Sequence, residues 1–262
     1  MRSNILGTMK TVVFALLTLF LSADISFAQS DVDLKQAAHL ANQGTDEGYK
    51  NAIGLYKKHE TELNAAQFND LGFCYWSLKE YETALHYFEL SASIGFEMGI
   101  YNSAYNYFYG NGTDKDFVKA YNYLIKLSPN FIEINDAYHL IGHCIEYDAK
   151  VQGSTGKPNY ALAYSYFLKA AEKGHLESIK HVADYNNNSG RVATNYEKAK
   201  YWYTKACETG NAKESCDELS KLNSLLAKNT LPNTQATIDR PQQKSIDYLS
   251  VLEALNKSLG KP

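Results

Sequence analysis

The chain has 262 residues, 45% of them hydrophobic, and a formal net charge of −3. That is enough apolar material for a sizeable core, and the charge lacks the basic excess of a nucleic-acid binder. Tyrosine is the outlier, at 21 residues against 2 tryptophans, and these rings recur at the repeat positions below.

Residues 1–28 read as a signal peptide. Lys10 precedes the apolar run Val12–Leu21, which only Thr18 interrupts, and Ser26-Phe27-Ala28 offers small residues at the positions a signal peptidase inspects. The run is about half of what spans a bilayer. The expected mature chain starts after Ala28, stays mildly acidic, spans no membrane and is periplasmic or secreted. Helices are then expected near 31–43, 46–58, 62–78, 80–93, 97–109, 114–127, 133–147, 159–173, 175–187, 195–209 and 211–227. Gly110 and Gly112 make a turn, and Asp114 or Asp116 caps the helix that follows. Asp148–Pro158 lengthens one hairpin turn. Residues 31–228 form the repeat domain. The polar, proline-containing stretch 229–244 is a linker. In 245–262, Ile246, Leu249, Leu252, Leu255 and Leu259 share one helical face, for folding back on the last repeat or for meeting a partner.

Five segments align on one alanine. Ala52, Ala84, Ala120, Ala163 and Ala199 recur every 32, 36, 43 and 36 residues, the period of a helix–turn–helix solenoid. In the last four copies a large side chain follows three or four residues on: Tyr87 and Phe88, Tyr123 and Leu124, Tyr166 and Phe167, Trp202 and Tyr203. A small alanine lets two helices approach, and the residue one turn later fills the groove beside it. The helix before each carries a small residue of its own, Gly72, Ala104, Gly142 or Ala183, and Tyr75 and Tyr107 lie three residues beyond the first two as packing groups.

Gly110, Gly112, Asp116, Lys119 and Ala120, with the helix ends Ala170-Ala171-Glu-Lys-Gly174 and Ala206-Cys207-Glu-Thr-Gly210, resemble Sel-1-like repeats, a branch of the tetratricopeptide-like solenoids. Val192, Asn195, Lys198 and Ala199 resemble them too, with Asn in place of Asp. The expected fold is all-α, a right-handed α-solenoid of about five helix–turn–helix repeats with C-terminal capping helices. The resemblance implies a non-enzymatic scaffold that holds a protein or peptide partner in a concave groove walled by the first helices. Residues three before, one after and four after each small crossing residue share that face. They are Asn69, Phe73 and Trp76; Tyr101, Tyr105 and Phe108; His139, His143 and Glu146; and Lys180 and Asp184, with Asn187 beyond. Some periplasmic members of the family are immunity proteins that block a secreted effector, which gives the role one concrete form.

Cys207 and Cys216 flank a turn between two expected helices, placed to bridge them in an oxidising compartment. The resemblance implies the same pairing, since secreted cysteine-rich members join a Cys at one repeat's end to a Cys in the next. Cys74 and Cys144, in different repeats, read as buried thiols. Little else suggests chemistry. His139 and His143 are one helical turn apart near Cys144 and Glu146, which suits either a metal or a polar binding face; Leu140 occupies the place of the glutamate in HExxH. Neither a metal nor a cofactor is assigned. Ser154 and Lys157 meet the serine–x–x–lysine spacing of penicillin-recognising hydrolases, the alternative activity, without a Lys-Thr-Gly partner.

Overall fold

Small residues at the helix crossings set how closely the hairpins pack. The computed structural model describes residues 28–151, 156–209 and 213–228. Among these the chain forms helices and no strand. Helix α1 covers 28–41, followed by α2 (Asp46–Lys58), α3 (Ala65–Ser77), α4 (Tyr81–Ser93), α5 (Glu97–Tyr109) and α6 (Phe117–Leu124). Then come α7 (Ile134–Tyr147), α8 (Tyr160–Glu172), α9 (Leu176–Asn186), α10 (Tyr196–Glu208) and α11 (Lys213–Ala227). One compact unit ends at Leu219; a second begins at Ser220, and its described residues are 220–228, of which 220–227 belong to α11. The signal peptide up to residue 27, the linker and the C-terminal helix expected from the sequence lie outside the described residues.

Within the first unit each helix from α2 to α10 packs mainly on its neighbours in the chain, and the first helices α3, α5 and α7 also touch in succession. This is an all-α repeat solenoid. All five aligned alanines are fully buried, as are Phe88, Phe167 and Leu124 one turn after three of them. At Gly142 an added Cβ would stand 2.6 Å from the Phe167 ring, so the hydrogen of glycine is what lets α7 and α8 cross there. Tyr75 stacks on Tyr87 with centroids 5.6 Å apart, and Tyr107 on Tyr123 at 6.0 Å. Both tyrosines pack between helices, as their spacing implied.

The repeat's polar positions are helix caps. Asp116 accepts a hydrogen bond from the Lys119 N–H at 2.8 Å, Asn159 from that of Leu162 at 3.1 Å and Asn195 from that of Lys198 at 2.9 Å. Each satisfies an amide that the first helical turn leaves without a partner. Gly112 has φ +71°, and a side chain there would run into the backbone of Tyr81 and Glu82 at 2.4 Å. The turn is thereby pressed against the start of α4.

Several helices are shorter than their apolar pattern. Expected over 114–127, α6 begins at Phe117 because Asp116 is its cap, and it ends at Leu124, where Lys126 and Leu127 bond back only three residues. Expected from 62, α3 starts at Ala65. Asn64 and Gln67 form a capping box there, and Glu60–Glu62 form a single 3₁₀ turn. The faint first copy folds as the pair α1–α2, tied by Asp33. Its carboxylate accepts from Lys58 Nζ at 2.7 Å, His59 Nε2 at 2.9 Å and Gln29 Nε2 at 2.7 Å. These donors, Lys58 foremost, hold its pKa well below the usual carboxylate range.

Candidate functional site

The positions around the small crossing residues gather into aromatic and imidazole groups on the first helices. In α3, Phe73 is 45% exposed and lies roughly parallel to half-buried Trp76, with centroids 6.3 Å apart. Tyr49 meets Phe73 edge-on and Tyr81 meets Trp76. Asn69 is buried and accepts from Asn102 Nδ2 at 2.8 Å, which links α3 to α5.

In α5, Tyr101 and Tyr105 are half-buried and Phe108 is buried. Tyr105 lies 4.4 Å from Tyr109, and Phe108 packs on Phe117 at 5.3 Å and on His143 at 6.3 Å. Tyr147 at the end of α7 closes the group, 5.4 Å from Phe117 and 4.9 Å from His143. Tyr109 and Tyr147 are 45% and 55% exposed. Both stand five residues after a crossing residue, an offset that the reading of three before, one after and four after leaves out.

The third group is polar. His139 and His143 are buried, and both pack on Phe167. His143 Nδ1 donates to Glu146 Oε2 at 3.2 Å. Tyr185 O–H donates to Glu146 Oε1 at 2.9 Å, and Arg191 Nη1 stands 2.9 Å from that oxygen. Burial works against the Glu146 charge, yet His143, Tyr185 and Arg191 together hold its pKa below the ordinary value. His181 of α9 comes within 4.7 Å of His143 and 5.4 Å of His139, and His175 within 4.4 Å of His139, as ring centroids. Burial, then the neighbouring imidazoles, pushes His139 down to about 2 and His181 to about 4, so both are neutral near pH 7. One ring nitrogen from each of His139, His143 and His181 lies within 4.8 Å of the others. His175 and His181 escaped the sequence reading because they lie in the next repeat; the signal was a histidine pair one turn apart, for which a third is sought on the adjacent first helix.

Lys180 and Asp184 are tied into local pairs. Lys180 Nζ is 3.4 Å from both Asp184 and Glu214, and Asp184 accepts from Tyr203 O–H at 2.6 Å. Cys207 and Cys216 are paired, with their Cα atoms 5.0 Å apart. Cys74 and Cys144 are buried free thiols, and burial pushes Cys74 up to about 12. Lys157 is exposed, while Ser154 lies outside the described residues.

The Sel1 repeat family matches residues 66–96, 97–128, 135–175 and 181–211, together more than half of the chain. These four matches lie on the pairs α3–α4, α5–α6, α7–α8 and α9–α10; the pair α1–α2 falls outside them. Two crystal structures share the fold. One is c5321, a protective antigen of uropathogenic Escherichia coli strains displaying an SLR fold, with TM-score 0.56 and 22% identity. The likeness covers 73% of this chain and 45% of that one, so the chain matches less than half of its length. The other is a Sel1 repeat protein from Oxalobacter formigenes, with TM-score 0.55, 21% identity, and 84% of this chain and 88% of that one covered. No functionally curated protein is similar enough to count as a match.

Proposed function

Because the chain belongs to the Sel1 repeat family, whose repeats generally mediate protein–protein interaction, we propose that it is an exported scaffold holding a protein segment against its first helices. The observation behind this reading is the aromatic group of α5 and α7. Tyr101, Tyr105 and Tyr109 run along α5, and buried Phe108 links them to Tyr147 of α7, with Tyr109 and Tyr147 left about half in water. Rigid rings with a polar tip are strong interface anchors because they bury much area for little lost conformational freedom. Phe73 and Trp76 extend the same chemistry on α3.

Export rests on the apolar run before Ala28 and fits the Cys207–Cys216 pair, which an oxidising compartment would maintain. Among the described residues no helix is long and apolar enough to cross a membrane. Neutralising a secreted effector is one form this holding would take. A photo-crosslinking amino acid in place of Tyr109, in chain expressed with its leader, should trap a partner; the same probe in place of Tyr201 should trap none. Cross-links at Tyr201 alone would overturn the surface assignment. Amino-terminal sequencing of the exported chain should begin at Gln29.

A further inference from the structure

Beside the aromatic rings the first helices also gather imidazoles, and their geometry suits an ion. We infer that His139, His143 and His181 bind one divalent transition-metal ion of the zinc class, beside the aromatic group whose Phe108 and Tyr147 pack on His143. Helix α7 supplies two imidazoles one turn apart, α9 supplies the third, and Phe167 packs against all three, with centroids 5.8, 4.9 and 4.8 Å away. A tetrahedral ion with bonds of about 2.0–2.1 Å needs donors roughly 3.4 Å apart. The three ring nitrogens, within 4.8 Å of one another, reach that by small side-chain rotations. An all-imidazole set without thiolate suits zinc, cobalt, nickel or copper rather than calcium or magnesium.

The surrounding hydrogen bonds orient these rings as metal ligands are oriented. Glu146 accepts a hydrogen bond from the Nδ1–H of His143, which leaves Nε2 with its lone pair; carboxylates do this beside many metal-bound histidines. His175 Nδ1 accepts from the Ser178 N–H at 3.2 Å, and its Nε2 stands 3.1 Å from Asp136. His175 is not among the three imidazoles whose nitrogens lie together, so it supports the cluster and does not ligate. Ser178 Oγ is 2.9 Å from Nδ1 of both His139 and His175. Around a bound ion, His139 Nδ1–H donating to Ser178 and Ser178 O–H donating to His175 would leave His139 Nε2 its lone pair for the metal. Without the ion, Nε2 stands 3.2 Å from the Glu177 carboxylate, the distance of an N–H···O hydrogen bond, so the ion takes the place of that proton. Among the described residues His181 makes ring contacts but no hydrogen bond through either nitrogen. Glu177, largely in solvent and 3.2 Å from His139 Nε2, is a carboxylate for the fourth position, which water would otherwise fill.

The test uses the full chain without a histidine tag, stripped with EDTA and titrated with zinc chloride or cobalt chloride. Expected are one ion per chain by native mass spectrometry, a rise in melting temperature with zinc, and a tetrahedral cobalt spectrum without a thiolate charge-transfer band. His181→Gln, at a half-buried position, should keep the helical circular-dichroism spectrum and bind at least about 100-fold more weakly, beyond the loss usual for one supporting group. Glu146→Gln should weaken binding by about 10- to 100-fold. A control carrying His39→Gln and His86→Gln should bind like the wild type. The inference fails if no ion binds, if His181→Gln binds as tightly as wild type, or if cobalt shows thiolate ligation.

Discussion

The first-helix surface is one backbone plan carrying two chemistries. Around Gly72 and Ala104, α3 and α5 place Phe73, Trp76, Tyr101 and Tyr105, whose rings stay partly in water and meet mostly other rings. Around Gly142, the same offsets in α7 place His139, His143 and Glu146, drawn inward by hydrogen bonds to Ser178, Tyr185 and the cluster itself. The small crossing residue fixes where side chains stand, because it fixes how near the second helix lies. The identity of those side chains then decides between an apolar face that excludes water and a polar nest whose donors must be satisfied. A solenoid can therefore change what it holds from one repeat to the next without changing its fold.

The strongest test of this division replaces the buried ring under each half. Phe88→Ala and Phe167→Ala should each cost about 3–5 kcal/mol in denaturant unfolding, since both rings are essentially fully buried. Of the two, only Phe167→Ala should also weaken zinc binding, because Phe167 packs on the imidazoles and Phe88 does not. Equal effects on zinc would erase the distinction between the halves. A smaller contrast uses two glycines. Gly142→Ala should destabilise by about 1–3 kcal/mol, its Cβ forced on Phe167. Gly54→Ala, in a helix with open space around it, should stabilise by about 0.4–1 kcal/mol.

The gentlest contrast lies at the front of the chain, away from both surfaces. Asp33 has its folded pKa lowered by Lys58, His59 and Gln29, so its contribution is present above the ordinary carboxylate value. That contribution fades as the pH falls below about 4, where the unfolded carboxylate takes up its proton first. Asp33→Asn should therefore flatten the acid limb of stability against pH while leaving zinc and partner binding unchanged. An acid limb as steep as that of the wild type would mean another carboxylate governs it.

What could be read from the sequence follows from what is local. The large residue one turn after each alanine and the capping role of Asp116 are relations within a few residues, and their recurrence every 32 to 43 residues carries the fold. The end of α6 was misplaced because Ile125 and Leu127 continue an apolar pattern after the backbone has already tightened. Tyr109 and Tyr147 belong with the residues named from the sequence, but their exposure depends on how a helix end emerges from the stack. His181 is 38 residues from His143. Nothing in one repeat's spacing reports the rotation of the next, and that rotation brings the two rings together.

The central claim is that the aromatic edges of the first helices, and not the apolar residues of the second helices, meet the partner. Two triple variants separate the two faces: Phe73→Ala, Tyr109→Ala, Tyr147→Ala on one, and Ile94→Ala, Ile125→Ala, Tyr201→Ala on the other, all six positions being exposed. Each variant, checked for an unchanged melting temperature, would be used beside the wild type to capture protein from envelope extract, quantified by mass spectrometry. The account predicts that the first variant loses the partner enriched by the wild type and that the second retains it. Retention by the first variant with loss by the second would contradict it.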